Sequence, residues 1–303
     1  MSLRRSALNI ALRLMEKSYL AQVRDPVDLR TGFERKARFW FRAPRGSRFE
    51  PESCGGVPAT WALGPGVARR DGPAILYFHG GGYVFGSPAT HRAMLARLSS
   101  LTGLPACLPD YGLAPEHPFP RAVADGVAAL GALRDHPGGV ILGGDSAGGG
   151  LALATLAEAL RQGGPLPRGL FAFSPLTDLT FSGESLRRNA RDEAMLPADR
   201  AGEMAQMYLQ GADPQDPRAS PLFAGFTGAG PVWLAAGDTE ILLDDTRRMA
   251  ARLRAQDVPV TEVLRHDLPH VWPMFHGLLP EADETLRDLA AWIRSLSCRS
   301  GES

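Results

Sequence analysis

Val140-Ile-Leu-Gly-Gly-Asp-Ser-Ala-Gly148 joins a short apolar run to a strongly helical sequence, and the fold is decided by this stretch. The run predicts a buried strand and the sequence over 147–161 predicts a helix. The Gly-x-Ser-x-Gly pattern between them is typical of a sharp strand-to-helix turn. Such a turn holds its central residue, Ser146, in a strained backbone conformation, and flanking glycines avoid steric clashes there. We therefore expect the Ser146 hydroxyl to be accessible to a ligand.

The same alternation of strand and helix extends along the chain in both directions. Buried strands are predicted by apolar runs at 74–78, 106–108, 140–142, 170–173, 232–236 and 260–264. Helical spacing predicts helices between most of them, at 91–101, 121–134, 147–161, 244–255 and 281–296. Parallel strands need crossover connections, which helices supply. The predicted fold class is therefore α/β, with a mostly parallel central sheet flanked by helices.

Two segments depart from this alternation. Residues 1–70 are rich in Arg, Pro and Gly, with one amphipathic helix near 5–20, and residues 175–225 contain a helix near 199–210 but no strand. An insertion at the carboxyl edge of an open α/β sheet lies where such sheets bind ligands. We expect a core of 71–174 and 226–303, an N-terminal cap segment and lead-in over 1–70, and a cap insertion over 175–225.

The composition excludes several classes of function. The 303 residues carry 33 basic and 33 acidic side chains without a long block of one sign, so nucleic acid is not an expected partner. No apolar run reaches the length that crosses a bilayer, so no stable membrane insertion is expected and a cytoplasmic location follows by default. Cys54, Cys107 and Cys298 are widely spaced and form no metal-binding pattern. Reduced thiols, and neither metal nor cofactor, are expected.

A glycine run follows the strand predicted at 74–78. In His79-Gly-Gly-Gly82 the absence of side chains lets the main chain approach a ligand and donate hydrogen bonds to it, which suits an oxyanion hole. The expected donors are the amides of Gly81, Gly82 and Ala147, with Gly80 as a substitute for one of them. A phosphate-binding loop is disfavoured because no Gly-Lys-Ser/Thr ending follows.

The base and the acid are expected after the last two strands. His270 lies in a loop and is preferred as the general base over His266, which is close to the strand end. The segment 237–245 holds four carboxylates, of which Asp244 and Asp245 are expected to cap the next helix. Asp238 and Glu240 remain as alternatives for the acid, and the residues alone leave that choice open.

Over 73–292 the sequence resembles the hormone-sensitive-lipase family of esterases, whose bacterial members form family IV of the α/β-hydrolases. The resemblance is carried, in order, by His79-Gly-Gly-Gly82-Tyr83, Asp110-Tyr-Gly-Leu-Ala-Pro-Glu116-His-Pro-Phe-Pro, Gly144-Asp-Ser-Ala-Gly148-Gly149, the acid loop and Pro269-His270-Val271. It implies an α/β-hydrolase fold with a helical cap. Aligning the family's Asp-Pro-Leu-x-Asp loop on Asp244 implies Glu240 as the triad acid and Asp238 as the second choice. Gly112 replaces an Arg of the family.

Together these residues predict a serine carboxylic ester hydrolase that acts on short- to medium-chain acyl esters through an acyl-enzyme. The alternatives are an amidase, lactonase or acyltransferase with the same triad, or a non-catalytic small-molecule binding protein. Similar proteins often dimerise through an edge strand, so a homodimer is a further expectation. The expected substrate-contacting side chains are Tyr83, Trp272, Met207 and Tyr208, with Trp40, Phe41 and Met204 as further candidates from the cap.

Overall fold

The computed structural model describes residues 3–69, 72–164 and 166–298, with the side chains of 297 and 298 left out. Its central feature is an eight-stranded sheet in the order β1-β2-β4-β3-β5-β6-β7-β8. The strands are β1 Arg48–Cys54, β2 Val57–Leu63, β3 Ala74–Phe78, β4 Ala106–Pro109, β5 Val140–Asp145, β6 Gly169–Phe173, β7 Val232–Gly237 and β8 Val260–Arg265. Only β2 runs antiparallel to its neighbours, β1 and β4.

Helices pack on both faces of this sheet and above its carboxyl edge. The α-helices are α1 Leu3–Ala11, α2 Ser18–Gln22, α3 Pro26–Trp40, α4 Pro88–Thr102, α5 Arg121–Ala132, α6 Ser146–Gln162, α7 Ser185–Arg188, α8 Ala201–Leu209, α9 Leu243–Arg254 and α10 Pro280–Cys298. A π-helical stretch, Leu12–Lys17, joins α1 to α2. Short 3-10 turns occur at Ala198–Arg200, Pro221–Phe223 and Trp272–Phe275.

The sheet has two separate apolar layers because its central strands are buried on both faces. The whole of β3 and β5 is buried, which is why these strands appear in the sequence as continuous apolar runs. One layer includes Leu76, Leu142 and Leu151 of α6, and the other includes Ile75, Ile141 and Leu289 of α10. Both faces are thus covered by helices, as an α/β architecture requires.

The predicted α/β class is confirmed, and so are the six predicted strands and the helices between them. The elements without a prediction include β1, β2, α3 and the short helix α7. The strand β1 reads Arg-Phe-Glu-Pro-Glu-Ser-Cys and is largely solvent-exposed at the sheet edge, so it lacks an apolar run. Because β1 and β2 belong to the sheet, the sheet begins within residues 1–70, before the expected core boundary at 71.

The N-terminal helices and the insertion pack against one another above the sheet. Arg200, at the start of α8, donates from Nη1 to the carbonyls of Leu20, Ala21 and Val23, at 3.2, 3.1 and 3.1 Å. Arg30 of α3 also forms a salt bridge, at 2.6 Å, with Glu116, which lies in the loop between β4 and α5. That guanidinium holds the pKa of Glu116 at about 2. The two sequence-distant segments therefore form one layer.

Asp244 and Asp245 hold the insertion rather than cap α9. Asp245 Oδ1 accepts the N–H of Thr177 at 2.8 Å and that of Asp178 at 3.0 Å, while Asp244 accepts the N–H of Ser185 at 2.8 Å. The residue before α9 makes no side-chain cap. Burial raises the pKa of Asp245 to about 7, against the opposing hydrogen bonds from these amides. The prediction that both aspartates cap the helix is therefore wrong.

Within the described residues, no helix is long and apolar enough to cross a membrane.

Candidate functional site

Ser146 lies at a sharp turn between β5 and α6 with φ +51°, a conformation that L residues rarely adopt. The turn is tight enough that a side chain on Gly144 would collide with the carbonyl of Gly148, and one on Gly148 with the carbonyls of Phe78 and His79. This is the physical reason for glycine on both sides of the serine. The start of α6 directs free amides and the positive end of the helix dipole toward the same place.

The glycine loop lies beside Ser146 because β3 and β5 are paired with Phe78 opposite Gly144. Gly81 and Gly82 have φ +126° and +61°, and their amides donate no hydrogen bond within the described part of the chain. The amide of Gly80 is engaged, since it donates to Asp145 Oδ1 at 3.1 Å. The geometry therefore favours Gly81 and Gly82 over Gly80 as oxyanion donors.

His79 stabilises the conformation of this loop. Its Nδ1–H donates to the carbonyl of Gly80 at 2.9 Å, and its ring stacks on Tyr111 at 4.4 Å. Burial, with the nearby His91, lowers the pKa of His79 to about 3. The ring is thus neutral at ordinary pH and acts as a support.

A buried carboxylate beneath the turn was missed by the sequence reasoning. Asp145 accepts hydrogen bonds from Tyr77 Oη at 2.7 Å and contacts His91 Nε2 at 3.3 Å. Burial alone would raise its pKa, but the charge of His91 and these hydrogen bonds outweigh burial and lower it. His91 itself is 1% exposed. His91 lies one turn into α4 on the side that faces the sheet. The sequence did not predict this orientation, because apolar residues occur around most of α4 and do not mark one buried face.

His270 and Glu240 form a buried pair. Nδ1 of His270 lies 2.7 Å from Glu240 Oε2, and the two side chains are 4% and 1% exposed. Nε2 of His270 has no hydrogen-bond partner among the described residues, and His270 and Ser146 line one cavity. Burial by itself would lower the pKa of His270. The hydrogen bond and charge of Glu240, with the charges of Glu193 and Asp145, outweigh it and raise that pKa.

Asp238, the other acid considered, points elsewhere. Its carboxylate contacts His266 Nδ1 at 2.8 Å and the amide of Asp267 at 2.8 Å, on a side of the loop that is partly exposed. These groups leave it no contact with His270. Of the two alternatives from the sequence, the structure places Glu240 next to the predicted base.

Ser174, at the end of β6, is a second residue that the sequence did not reveal. Its Oγ donates to Glu240 Oε1 at 2.8 Å and accepts the amide of Val271 at 3.2 Å, while Gly237 also donates to Oε1, at 2.5 Å. Ser174 has φ +48° and is fully buried. It thus joins the acid loop to the loop that carries His270. No motif surrounds it in the sequence.

The cavity above these groups has a volume of about 1100 Å³, including the part open to solvent. It is lined mainly by apolar side chains, with Leu20, Leu29 and Phe33 from the N-terminal helices and Leu179, Met195 and Met204 from the insertion. Tyr83 and Tyr208 also line it and stack on each other at 3.9 Å. The cavity is therefore enclosed by the sheet edge, the N-terminal helices and the insertion.

Four expected lining residues lie outside this cavity. Trp272 is fully buried in the core, where its Nε1 donates to Thr285, because Val271 at φ +51° turns the chain inward. Met207 packs against the hydrophobic core on another face of α8. Trp40 is 48% exposed beside Phe39, and Phe41 packs on Phe275. The directions in which these four side chains point keep them out of the cavity, and the spacing of residues in the sequence did not predict those directions.

Among the described residues, no group of three or more His, Cys, Asp or Glu side chains is arranged to hold a metal ion. Cys54 of β1 and Cys107 of β4 are buried free thiols, and neither lines the cavity that contains Ser146.

Comparison with known proteins places this arrangement in a class. A family model described as alpha/beta hydrolase fold matches residues 75–274. That range spans the glycine loop, the serine turn, the acid loop and His270. The chain therefore belongs to the α/β-hydrolase family.

Similar proteins of known name or structure make the assignment within this family more specific. An acetyl-hydrolase of Streptomyces hygroscopicus is 39% identical over 232 residues, or 75% of this chain and 77% of the relative. An esterase of Acinetobacter venetianus is 38% identical over 226 residues, covering 73% of this chain and 75% of the relative. The crystal structure of an esterase from the bacterial hormone-sensitive lipase family has a TM-score of 0.91 at 34% identity and covers 98% of this chain and 99% of its own. The protein is a carboxylic ester hydrolase of this hormone-sensitive-lipase type.

Proposed function

We propose that Ser146 is the nucleophile of this esterase, His270 its general base and Glu240 the acid that orients the base. The observation that carries the proposal is the buried contact of 2.7 Å between His270 Nδ1 and Glu240, with Nε2 left toward the cavity that holds Ser146. The carboxylate keeps the proton on Nδ1, so that Nε2 accepts the serine proton. The hydrogen bond from Ser146 Oγ to His270 Nε2 is expected to form when substrate binds.

The reaction then proceeds in two steps. In acylation, the Ser146 Oγ–H proton passes to His270 Nε2 while Oγ bonds to the ester carbonyl carbon and the carbonyl electron pair moves onto oxygen. The intermediate collapses, the bond to the alkoxy oxygen breaks, and the leaving alcohol takes the proton from Nε2. In deacylation, water gives a proton to Nε2 and attacks the acyl carbon. The acyl–Oγ bond breaks, and the proton returns to Ser146 as the carboxylic acid leaves.

The negative oxygen of both intermediates is stabilised by the amides of Gly81, Gly82 and Ala147. Gly80 is not included because its amide donates to Asp145. Each well-placed donor contributes on the order of 3 kcal/mol to transition-state stabilisation in such sites. The loop is preorganised, since His79 and Asp145 hold Gly80 through its carbonyl and its amide.

The substrate is proposed to be an ester with a short- to medium-chain acyl group that occupies the apolar cavity under the cap. The support is the largely apolar lining, to which both the N-terminal helices and the insertion contribute. Two relatives are named acetyl-hydrolases, and the crystals of a similar esterase, 37% identical with a TM-score of 0.90, were soaked with p-nitrophenyl butyrate. The cap itself is proposed to comprise the helices before β1 and the insertion 175–225.

The test is hydrolysis of p-nitrophenyl butyrate by wild type and Ser146→Ala, with Ser53→Ala on the exposed strand β1 as a matched control. We expect a loss of at least about 10⁴ in kcat/KM for Ser146→Ala and none for the control. A serine-directed phosphonate should also label Ser146 in the wild type only. Equal hydrolysis by wild type and Ser146→Ala contradicts the proposal.

Related chemistries are separated by the choice of substrate. Rates on matched ester, amide and lactone substrates distinguish an esterase from an amidase or a lactonase, and an added alcohol acceptor reveals acyl transfer. Faster turnover of the amide or lactone changes the assigned reaction but not the triad. Tight ligand binding without any turnover would indicate a binding protein. The homodimer and the cytoplasmic location stay predictions, and sedimentation mass tests the first.

A further inference from the structure

Two side chains of the cap insertion hold the loop that carries Glu240. Asn189 Nδ2 donates to the carbonyl of Asp238 at 3.0 Å and to that of Glu240 at 2.8 Å. Glu193 Oε2 accepts the amide of Ile241, the next residue, at 3.0 Å. The backbone around the triad acid is therefore bonded on both sides by the cap, in addition to the bonds within the sheet edge.

Glu193 is a buried carboxylate that the reaction steps above do not use. Its residue is 1% exposed, and its other oxygen, Oε1, accepts the amide of Met195 at 2.8 Å. Within the described residues no Lys or Arg side chain forms a salt bridge with it. Because both oxygens accept amide hydrogen bonds, the site is built for the carboxylate form. A buried carboxylate without a cationic partner has a desolvation cost, which these amide hydrogen bonds offset.

The loop that carries Glu193 is tied in turn to the N-terminal segment. Lys17 Nζ donates to the carbonyls of Ala190 and Glu193, each at 2.8 Å, and Arg13 donates to the carbonyl of Asp192 at 2.6 Å. A continuous set of hydrogen bonds thus runs from the first helices through the insertion to the acid loop. The cap is connected to the triad and not only to the substrate cavity.

We propose that Glu193 is a positioning residue of the triad, which accepts the Ile241 amide, holds Glu240 against His270 and makes that placement depend on the packing of the insertion against the acid loop. The inference rests on the proposed function of Ser146, His270 and Glu240. Glu193 touches neither substrate nor the reacting atoms, so it acts through the acid loop and through its charge.

The charge of Glu193 also acts on His270. Within the described residues, the charges that most raise the pKa of His270 are those of Glu240 from the acid loop, Glu193 from the insertion and Asp145 from the end of β5, and each is acidic. Each stabilises the imidazolium that forms when Ser146 loses its proton. Burial and the neighbouring Glu240 raise the pKa of Glu193 itself, against the charge of His270 and its amide bonds. Removing this charge therefore lowers the pKa of His270.

The experiment compares Glu193→Gln, Glu193→Asp and the control Glu184→Gln, whose carboxylate lies on the same segment but is 86% exposed. Initial rates on p-nitrophenyl acetate are divided by active sites titrated with a serine-directed phosphonate. In Glu193→Gln an NH₂ group replaces one carboxylate oxygen and faces a backbone N–H that donated a hydrogen bond to that oxygen. Because this hydrogen bond is lost, kcat per site should fall about tenfold. KM should stay within about twofold, and the acid limb of kcat/KM should move about half a pH unit lower.

The conservative variant separates charge from shape. Glu193→Asp keeps the charge, so its acid limb should stay at the wild-type pH, and Glu184→Gln should match wild type throughout. A structural role alone would lower the folded fraction but leave kcat per titrated site and the acid limb unchanged. That result in Glu193→Gln overturns the inference.

A second variant decides the matter if Glu193→Gln does not fold. Lys17→Met leaves the carboxylate in place and removes the ammonium that ties the carbonyls of Ala190 and Glu193 to the N-terminal segment. We expect about a threefold lower kcat per site with unchanged KM, and an unchanged kcat overturns the inference. Absence of wild-type turnover, in contrast, would refute the proposed function itself.

Discussion

Replacing Glu240 by Gln should prevent His270 from acting as a base, while the Gln side chain occupies the same space as the Glu side chain. Oε1 of Glu240 accepts hydrogen bonds from Gly237 N–H and Ser174 Oγ–H, so the amide oxygen of the Gln takes that place. The amide nitrogen then faces His270 Nδ1, where Oε2 was at 2.7 Å. An NH₂ group there requires Nδ1 to accept, which moves the imidazole proton to Nε2. Nε2 then no longer accepts the Ser146 proton.

The expected loss of kcat is large because Glu240→Gln both changes the tautomer of His270 and removes the negative charge that stabilises the imidazolium. A wrong tautomer in a serine triad lowers kcat by about 10⁴, close to 5 kcal/mol of transition-state stabilisation. We expect about 10³ to 10⁴ here, with KM within about threefold, since Glu240 does not contact the apolar cavity wall used by the acyl chain. The assay is the steady-state rate on p-nitrophenyl butyrate, corrected for active-site concentration.

Asp238→Asn is the matched control, because Asp238 lies two residues away and pairs with His266 instead. Its kcat should stay within about twofold of wild type, with a small loss of stability as for a partly exposed ion pair. The reasoning is refuted if Asp238→Asn loses more activity than Glu240→Gln, or if Glu240→Gln keeps a tenth of the wild-type kcat.

Three further predictions concern pH, stability and the cavity. Because its acidic neighbours raise the pKa of His270, kcat/KM for p-nitrophenyl acetate should reach half its maximum above the ordinary histidine value of 6.5, and a midpoint below it contradicts the electrostatics. Burial raises the folded pKa of Asp245 from 3.8 to about 7, so its contribution to the free energy of unfolding is complete below the unfolded pKa and is lost as pH rises through the folded value. Asp245→Asn keeps the Oδ1 acceptor, so its stability relative to wild type should improve by on the order of 2 kcal/mol between about pH 4 and pH 8.5. Urea unfolding at both pH values tests this, with Asp244→Asn as control, and a pH-independent difference refutes it. Leu20→Trp narrows the cavity, so the octanoate rate should fall about tenfold relative to acetate, whereas the exposed Leu166→Trp should leave that ratio unchanged.

Much of the site was predictable because its parts follow buried strands directly. Ser146 follows β5, the glycine loop follows β3, and the acid loop follows β7, so each motif lies at the carboxyl edge of a parallel sheet. Parallel pairing brings those ends together whatever the surface sequence is. Conformational demands on glycine made the serine turn visible as well. These features depend on local sequence and on topology, and both are encoded in short segments.

Side-chain direction was not predictable in the same way. Trp272 and Met207 are large and apolar and lie near the site in sequence, yet they pack into the core, whereas Tyr83 and Tyr208 line the cavity. Asp145, inside the serine motif, and Ser174, outside any motif, both have hydrogen-bond partners that are distant in the chain. Their hydrogen bonds to Tyr77 and Glu240 span 68 and 66 residues. No local pattern signals such pairs.

The sequence by itself indicated the α/β class, the sharp turn at Ser146, the glycine loop 79–82 and the loop that carries His270, because backbone geometry and strand order impose them locally. The tertiary structure alone decided that Glu240 and not Asp238 contacts His270, since both lie in one loop and only packing sets which carboxylate turns inward. It also brought Glu193 of the cap to that loop. A contact between distant segments is stabilised by the whole fold, and short sequence patterns do not record it.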